Sequence, residues 1–190
     1  MSASVPAAAR IMFGPFTLKP SQIFHRTALS LCLVNLKPLL PGHVLVIPKR
    51  VVPKTTDLTP AEITDLFQTV QVVQNALIKA YKAEGFNIAI QDGPVAGQTV
   101  PHVHVHVIPR HKGDVPEDAI FTMLESRDGD IGAQMGKKQE GVQKFPVFKE
   151  ERRPRTDGEM GEEAKWLEGF FMGEAEKEKE PGHNHIKLNL

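Results

Sequence analysis

Residues 101–109 read PHVHVHVIP, three histidines at alternate positions with a valine in every gap. No other stretch restricts the fold so tightly. A period of two belongs to a β-strand, so His102, His104 and His106 project from one face and Val103, Val105 and Val107 from the other. A helix would scatter the same residues around its circumference. The pattern predicts a strand bounded by Pro101 and Pro109, with its valines against an apolar layer and its imidazoles turned the opposite way.

Partners for that strand lie upstream. The runs IMFGPFTL and SLCLVN are β-like, LKPLLPGHVLVIPKR reads as a turn at Pro38 to Gly42 feeding a strand from His43 to Ile47, and FNIAIQDG reads as a strand ending in a turn. One long helix opens at TPAEITDLF: Thr59 suits the N-cap, Pro60 the first helical position, and Glu62 completes a capping box. Ile63, Leu66, Phe67, Val70, Val73, Leu77 and Tyr81 then recur at helical spacing and need a sheet to cover them, with Gly85 as the stop. Strands gathered around one long helix by short links predict an α+β domain with a mostly antiparallel five-stranded sheet.

One folded domain is expected over residues 1–125. Residues 126–161, rich in Gly, Lys and Glu, read as a flexible insert. Residues 162–190 read as a C-terminal helix and tail on the same domain, with Trp166, Leu167 and Phe170 docking on the core. Twenty-three basic residues balance 23 acidic ones, so no global field draws the chain to nucleic acid or an anionic membrane, and an anionic ligand has to be held locally. No apolar run approaches the roughly 18 residues of a membrane span. The start, MSASVPAAAR, lacks the apolar core of a secretory signal, though a transit-peptide reading stays open. The single Cys32 sits in an apolar run and reads as a core thiol in a reducing compartment, cytoplasmic and, as an open alternative, also nuclear.

Beyond a half-exposed strand that happens to carry histidines, two chemistries fit the imidazole face. Residues two apart lie roughly 6.6 Å apart along a strand, and such pairs can chelate zinc, with His43 as a further ligand; no acidic or thiol ligand stands beside them. Alternatively, a neutral imidazole attacks phosphorus when one ring nitrogen is held as a donor and the other presents its lone pair. His104 is the central ring, flanked by two others able to donate to phosphoryl oxygens. The preceding loop suits that chemistry: Gly93 and Gly97 permit close backbone approach, Gln98 and Thr99 offer donors, and Gln91 reaches the same face if the strands pair.

Taken with those neighbours, the residues resemble the histidine triad family, whose signature His-φ-His-φ-His-φ-φ is met by His102 through Ile108 without a departure. The blocks FGPFTLKPSQIF, LVNLKPLLPGHVLVIPKR, LFQTVQ and QDGPVAGQTVPHVHVHVIPR are similar to the fragile histidine triad branch, over roughly residues 10–125. The resemblance implies hydrolysis of a diadenosine polyphosphate, the triphosphate in first place, through a nucleotidyl-histidine on His104, giving AMP and ADP. It implies that His106 assists the leaving group, His102 supports the nucleophile, His43 orders the site and Gln91 contacts the α-phosphate. Gln98 and Thr99 match the phosphate loop, Asn35 the ribose contact, and Phe13, Leu33 and Leu45 the base slot. A homodimer is implied, built through the long helix and the FNIAIQ strand. No protein-held cofactor or metal is expected; Mg2+ or Mn2+ acts, if at all, through the substrate polyphosphate.

Two readings remain beside it: a nucleoside phosphoramidate hydrolase of the related branch, and a nucleotide-binding signalling module with slow turnover. Phe121 stands where animal members commonly carry a tyrosine, so tyrosine-based regulation is not expected. His25 and His111 match no motif position and read as surface residues, and His183 and His185 as parts of a solvated tail.

Overall fold

Alternation and capping chemistry both act locally, and both are visible in a computed structural model that describes residues 10–116, 119–125 and 153–171. The chain forms β1 (Met12–Phe13), β2 (Phe16–Thr17), β3 (Ile23–Arg26), β4 (Ser30–Val34), β5 (Val44–Pro48), α1 (Pro60–Tyr81), β6 (Gly85–Ile90), β7 (Val105–Arg110), α2 (Ala119–Glu125) and α3 (Asp157–Glu168). Strands β3 to β7 make one antiparallel sheet in the order β3-β4-β5-β7-β6. The α+β architecture is the one expected.

Its details differ in instructive ways. The run at 11–18 does not join the main sheet; β1 and β2 pair with each other across Gly14 and Pro15. The outer strand is instead Ile23–Arg26, too short for its alternation to stand out. The histidine strand starts at Val105 and runs through Pro109 to Arg110, while residues 102–104 lead into it. Pro109 is tolerated because Arg110 accepts from Glu84 on the β6 side, so the neighbouring Pro109 faces the β5 side, where pairing has already ended at Val44↔Val107.

Helix α1 begins as anticipated, with the Thr59 side chain accepting from the Glu62 N–H and Glu62 reaching back. Its end is set by Lys82 in the left-handed conformation (φ 59°), not by Gly85, which opens β6. Residues Leu66, Val70, Val73 and Leu77 cover Val44, Val46, Val103, Val105 and Val107, so the valines do face an apolar layer. Burial of that order contributes about 1.5–3 kcal/mol per large side chain.

The core also extends past residue 125. Helix α3 starts at Asp157, inside the segment read as insert, under a second capping box of Thr156 and Glu159, and adds Met160, Ala164 and Leu167 to the α1 layer. Trp166 packs edge-on against Tyr81 and Phe170. His25 is half-buried with its ring stacked on Phe171 at 4.2 Å, while His111 is exposed. Cys32 is fully buried, and burial pushes its thiol pKa up. No helix among the described residues is long and apolar enough to cross a membrane. His183, His185 and most of the insert lie outside the described residues.

Candidate active site

Strand β7 sits between β5 and β6, which places His106 inside the sheet, one strand from its edge. His106 lies across from Leu45 on one side and Ala89 on the other. The imidazole face is covered too: Phe13, Leu33, Leu45, Ile47 and Val100 form a second apolar cluster beside the histidines. The Phe13 ring stands 5.5 Å from His102 and 5.4 Å, edge-on, from His104. His43, His102, His104 and His106 are each at most 1% exposed.

Hydrogen-bond partners fix the tautomer of each ring. The Gly14 N–H donates to His102 Nδ1 at 3.0 Å, so His102 carries its proton on Nε2 and donates to the Pro48 carbonyl at 2.9 Å. The His102 carbonyl in turn accepts from His104 Nδ1 at 2.7 Å. His104 Nε2 therefore presents a bare lone pair.

A separate relay reaches the opposite result at His106. The Leu39 N–H donates to His43 Nδ1 at 3.1 Å, which leaves the proton on His43 Nε2; that group donates to His106 Nδ1 at 2.9 Å. The remaining proton of His106 then lies on Nε2. Among the described residues, the buried side-chain nitrogens or oxygens without a hydrogen-bond partner are His104 Nε2, His106 Nε2 and Ser30 Oγ. An unmade buried hydrogen bond costs about 1–3 kcal/mol. Here two stand on adjacent rings whose centroids are 5.0 Å apart, one an acceptor and the other a donor.

Burial also keeps these rings uncharged. Desolvation lowers the His102 pKa to about 4, against the partial support of its bond to Pro48. It lowers His104 below its ordinary value of 6.5, and drives His106 well below it with added repulsion from the neighbouring rings. A neutral ring is the nucleophilic form.

The remaining expected residues surround this pair unevenly. Ile90↔Val105 is the last rung between β6 and β7, so Gln91 leaves the ladder beside His104. Its amide packs on Gly97 so closely that a Cβ there would fall 2.6 Å from Gln91 Nε2. Gln98 is buried and donates to the Pro53 carbonyl at 2.7 Å, which ties the 93–99 loop to the segment after β5. Thr99, half-buried, follows it. Asn35, at the end of β4, lays its amide 3.3 Å from His43 Nε2 and accepts at Oδ1 from the Lys37 N–H. Leu33 and Leu45 are cross-strand neighbours in the cluster under Phe13. Two backbone donors, Gly14 and Leu39, were not anticipated. Only the turn-forming glycine left any trace in the sequence; a main-chain N–H carries no residue-type signal.

Four histidine rings close together invite comparison with a metal centre, yet the donor set fits one poorly. His102 and His43 use both ring nitrogens on the protein, and His106 Nε2 bears a proton, whereas zinc takes four donors. A sheet-borne cluster of neutral imidazoles, one offering a lone pair and its neighbour a hydrogen, defines a site for nucleophilic attack on an electrophile rich in oxygen.

The comparisons agree with that class. The model of the HIT domain matches residues 17–113. An asymmetrical bis(5'-nucleosyl)-tetraphosphatase of Schizosaccharomyces pombe is 50% identical over 169 residues, covering 83% of this chain and 93% of the relative. A bis(5'-adenosyl)-triphosphatase of Dictyostelium discoideum is 44% identical over 160 residues, 84% of this chain and 91% of the relative. Among solved structures, the Plasmodium falciparum diadenosine triphosphate hydrolase superposes with a TM-score of 0.63 at 28% identity, over 87% of this chain and 86% of that one. The chain belongs to the histidine triad (HIT) family.

Proposed function

We propose that the chain hydrolyses diadenosine triphosphate to AMP and ADP in two nucleotidyl-transfer steps. The observation that carries this reading is the pairing of two unpartnered nitrogens, a lone pair on His104 Nε2 beside an N–H on His106 Nε2. The lone pair forms a bond to the α-phosphorus while the P–O bond to the departing ADP breaks. His106 donates to an oxygen of the phosphoryl or leaving group, where negative charge develops. As the ring bonds phosphorus it becomes cationic, and the His102 carbonyl on Nδ1–H stabilises it. Water then attacks the same phosphorus, AMP departs and His104 is restored.

Attack at an end phosphorus always releases a mononucleotide, so a tetraphosphate would yield AMP and ATP by the same route. The names of the relatives cover both lengths. On the substrate side, Gln91 and the 93–99 loop with Gln98 and Thr99 face the phosphates, Asn35 reads the ribose hydroxyls, and Phe13, Leu33 and Leu45 border the base. Mg2+ or Mn2+ acts through the polyphosphate charge and not through protein ligands. The fully buried Cys32 thiol supports a reducing compartment, cytoplasmic or nuclear. The working unit is a homodimer, supported by apolar side chains exposed on α1 and β6.

His104→Asn keeps the shape of the ring's inner half and removes the attacking lone pair. Turnover of diadenosine triphosphate should fall by more than about 1,000-fold while substrate still binds. Undiminished turnover would exclude His104 as nucleophile. Product identification with tri- and tetraphosphates and a nucleoside phosphoramidate separates the substrate classes, and very slow turnover with tight binding would favour a signalling module.

A further inference from the structure

Six residues form a closed circuit of contacts at the edge of the site, and α3 supplies part of it. Arg155, just before α3, donates from Nε to the Asn35 carbonyl at 3.0 Å and from Nη2 to the same oxygen. Its Nη1 pairs with Glu163, whose other carboxylate oxygen accepts from the Tyr81 hydroxyl. The Tyr81 ring lies against Gly42, where a Cβ would come within 2.8 Å of it. Gly42 precedes His43, and the His43 ring meets the Asn35 amide. The circuit thus returns to its start.

Anchoring α3 does not by itself call for this arrangement. The exposed pair Lys19–Asp157, with the apolar face of Met160, Ala164 and Leu167, already docks the helix. The Arg155 and Glu163 side chains are only 18% and 9% exposed, so their pairing carries a desolvation penalty that often exceeds the Coulombic gain. What it achieves is local. The pairing of β4 with β5 ends at Val34↔Val44, one residue before Asn35, and the guanidinium holds the strand end where the sheet no longer does. The Arg155 N–H adds a bond to the Leu36 carbonyl at 2.9 Å.

We propose that Arg155 is a positioning residue for nucleoside recognition: braced by Glu163 and Tyr81, it fixes the Asn35 carbonyl and so aims the Asn35 side chain at the ribose hydroxyls. The inference rests on the ribose-reading role proposed for Asn35. It makes a segment outside the matched residues 17–113 a working part of the site.

The test is a cycle between protein and substrate. Diadenosine triphosphate and its analogue lacking the 2'- and 3'-hydroxyls are compared on the full chain, on Asn35→Ala, on Arg155→Lys and on Arg155→Met combined with Glu163→Gln, which leaves no unpaired buried charge. The double variant should lose about tenfold in kcat/KM on the ribose substrate, the size of one positioned hydrogen bond, chiefly through KM. It should lose almost nothing on the analogue, and Arg155→Lys should retain part of the discrimination. Lys19→Met, which loosens α3 without touching Asn35, should leave both substrates unchanged. Equal losses on both substrates, or none, from either Arg155 variant would overturn the role of Arg155; the lysine variant carries this test should the double variant not fold. If Asn35→Ala discriminates between the substrates as well as the parent chain does, the ribose reading falls, and this inference with it.

Discussion

At the scale of single residues, the site depends on imidazoles that burial keeps neutral. His102 protonates at about 4 in the native chain and near 6.5 when unfolded. Between those values the unfolded chain binds a proton that the native chain refuses, so stability falls as pH drops from about 6.5 to about 4, and this contribution then levels off. His104 and His106, lowered in the same direction, act with the same sign. Urea unfolding at pH 7.5, 6 and 4.5 should give decreasing midpoints, with part of the decline removed by His102→Asn. Activity follows the same logic, because protonation of His104 would remove the lone pair proposed as the nucleophile. The acid limb of kcat/KM should lie below pH 6.5, and a limb at or above that value would contradict a buried, desolvated nucleophile.

At the scale of elements, the turn that delivers His43 depends on Gly42. Its φ of +76° is one that side-chain-bearing residues avoid, and an added Cβ would meet the Tyr81 ring at 2.8 Å and Pro109 Cγ at 3.0 Å. Gly42→Ala should therefore destabilise the chain by roughly 2 kcal/mol or more, measured by urea titration. It should also lower kcat, since the His43 relay holds the proton of His106 in place. The turn itself was legible in PGH, just as α1 was legible in Thr59, Pro60 and Glu62 and the valine face in its period of two. Each of these signals lies within a few residues of its effect. The start of α3 carried the same kind of signal in Thr156 and Glu159, but it was masked by the charged, glycine-rich text around it. Contacts between distant residues left no such mark. Arg155 meets Asn35 across 120 positions, and the N–H of Leu39 sets a tautomer through an atom every residue but proline possesses. The histidines and their loop could thus be named from spacing, while the bonds that assign each ring its proton could not.

At the scale of the whole molecule, the described residues leave one apolar flank exposed. Ile63, Phe67 and Ile78 on α1 are 40%, 48% and 46% exposed, and Ile88 on β6 is 43% exposed. The Thr27 hydroxyl bonds Asp65 on the β3–β4 side of α1, so the apolar stripe, turned roughly half-way round the helix, looks toward β6. Ile88 shares the sheet face of Val107, the α1 face, and among the described residues β6 is the edge strand, paired with β7 alone. An apolar patch continuous with an open sheet edge invites a second strand of the same kind. Two copies related by a two-fold axis satisfy both at once, each covering the other's stripe. The chain's zero formal charge opposes such association weakly. The histidines occupy the opposite face of the sheet, so joining at α1 and β6 does not itself cover them. Sedimentation at micromolar concentration should therefore return twice the mass of one chain. Phe67→Glu combined with Ile88→Lys, which places charge in the stripe and on the edge strand, should return a single mass with the fold intact by circular dichroism. A parent chain that sediments as a monomer would leave the exposed stripe without the partner proposed for it.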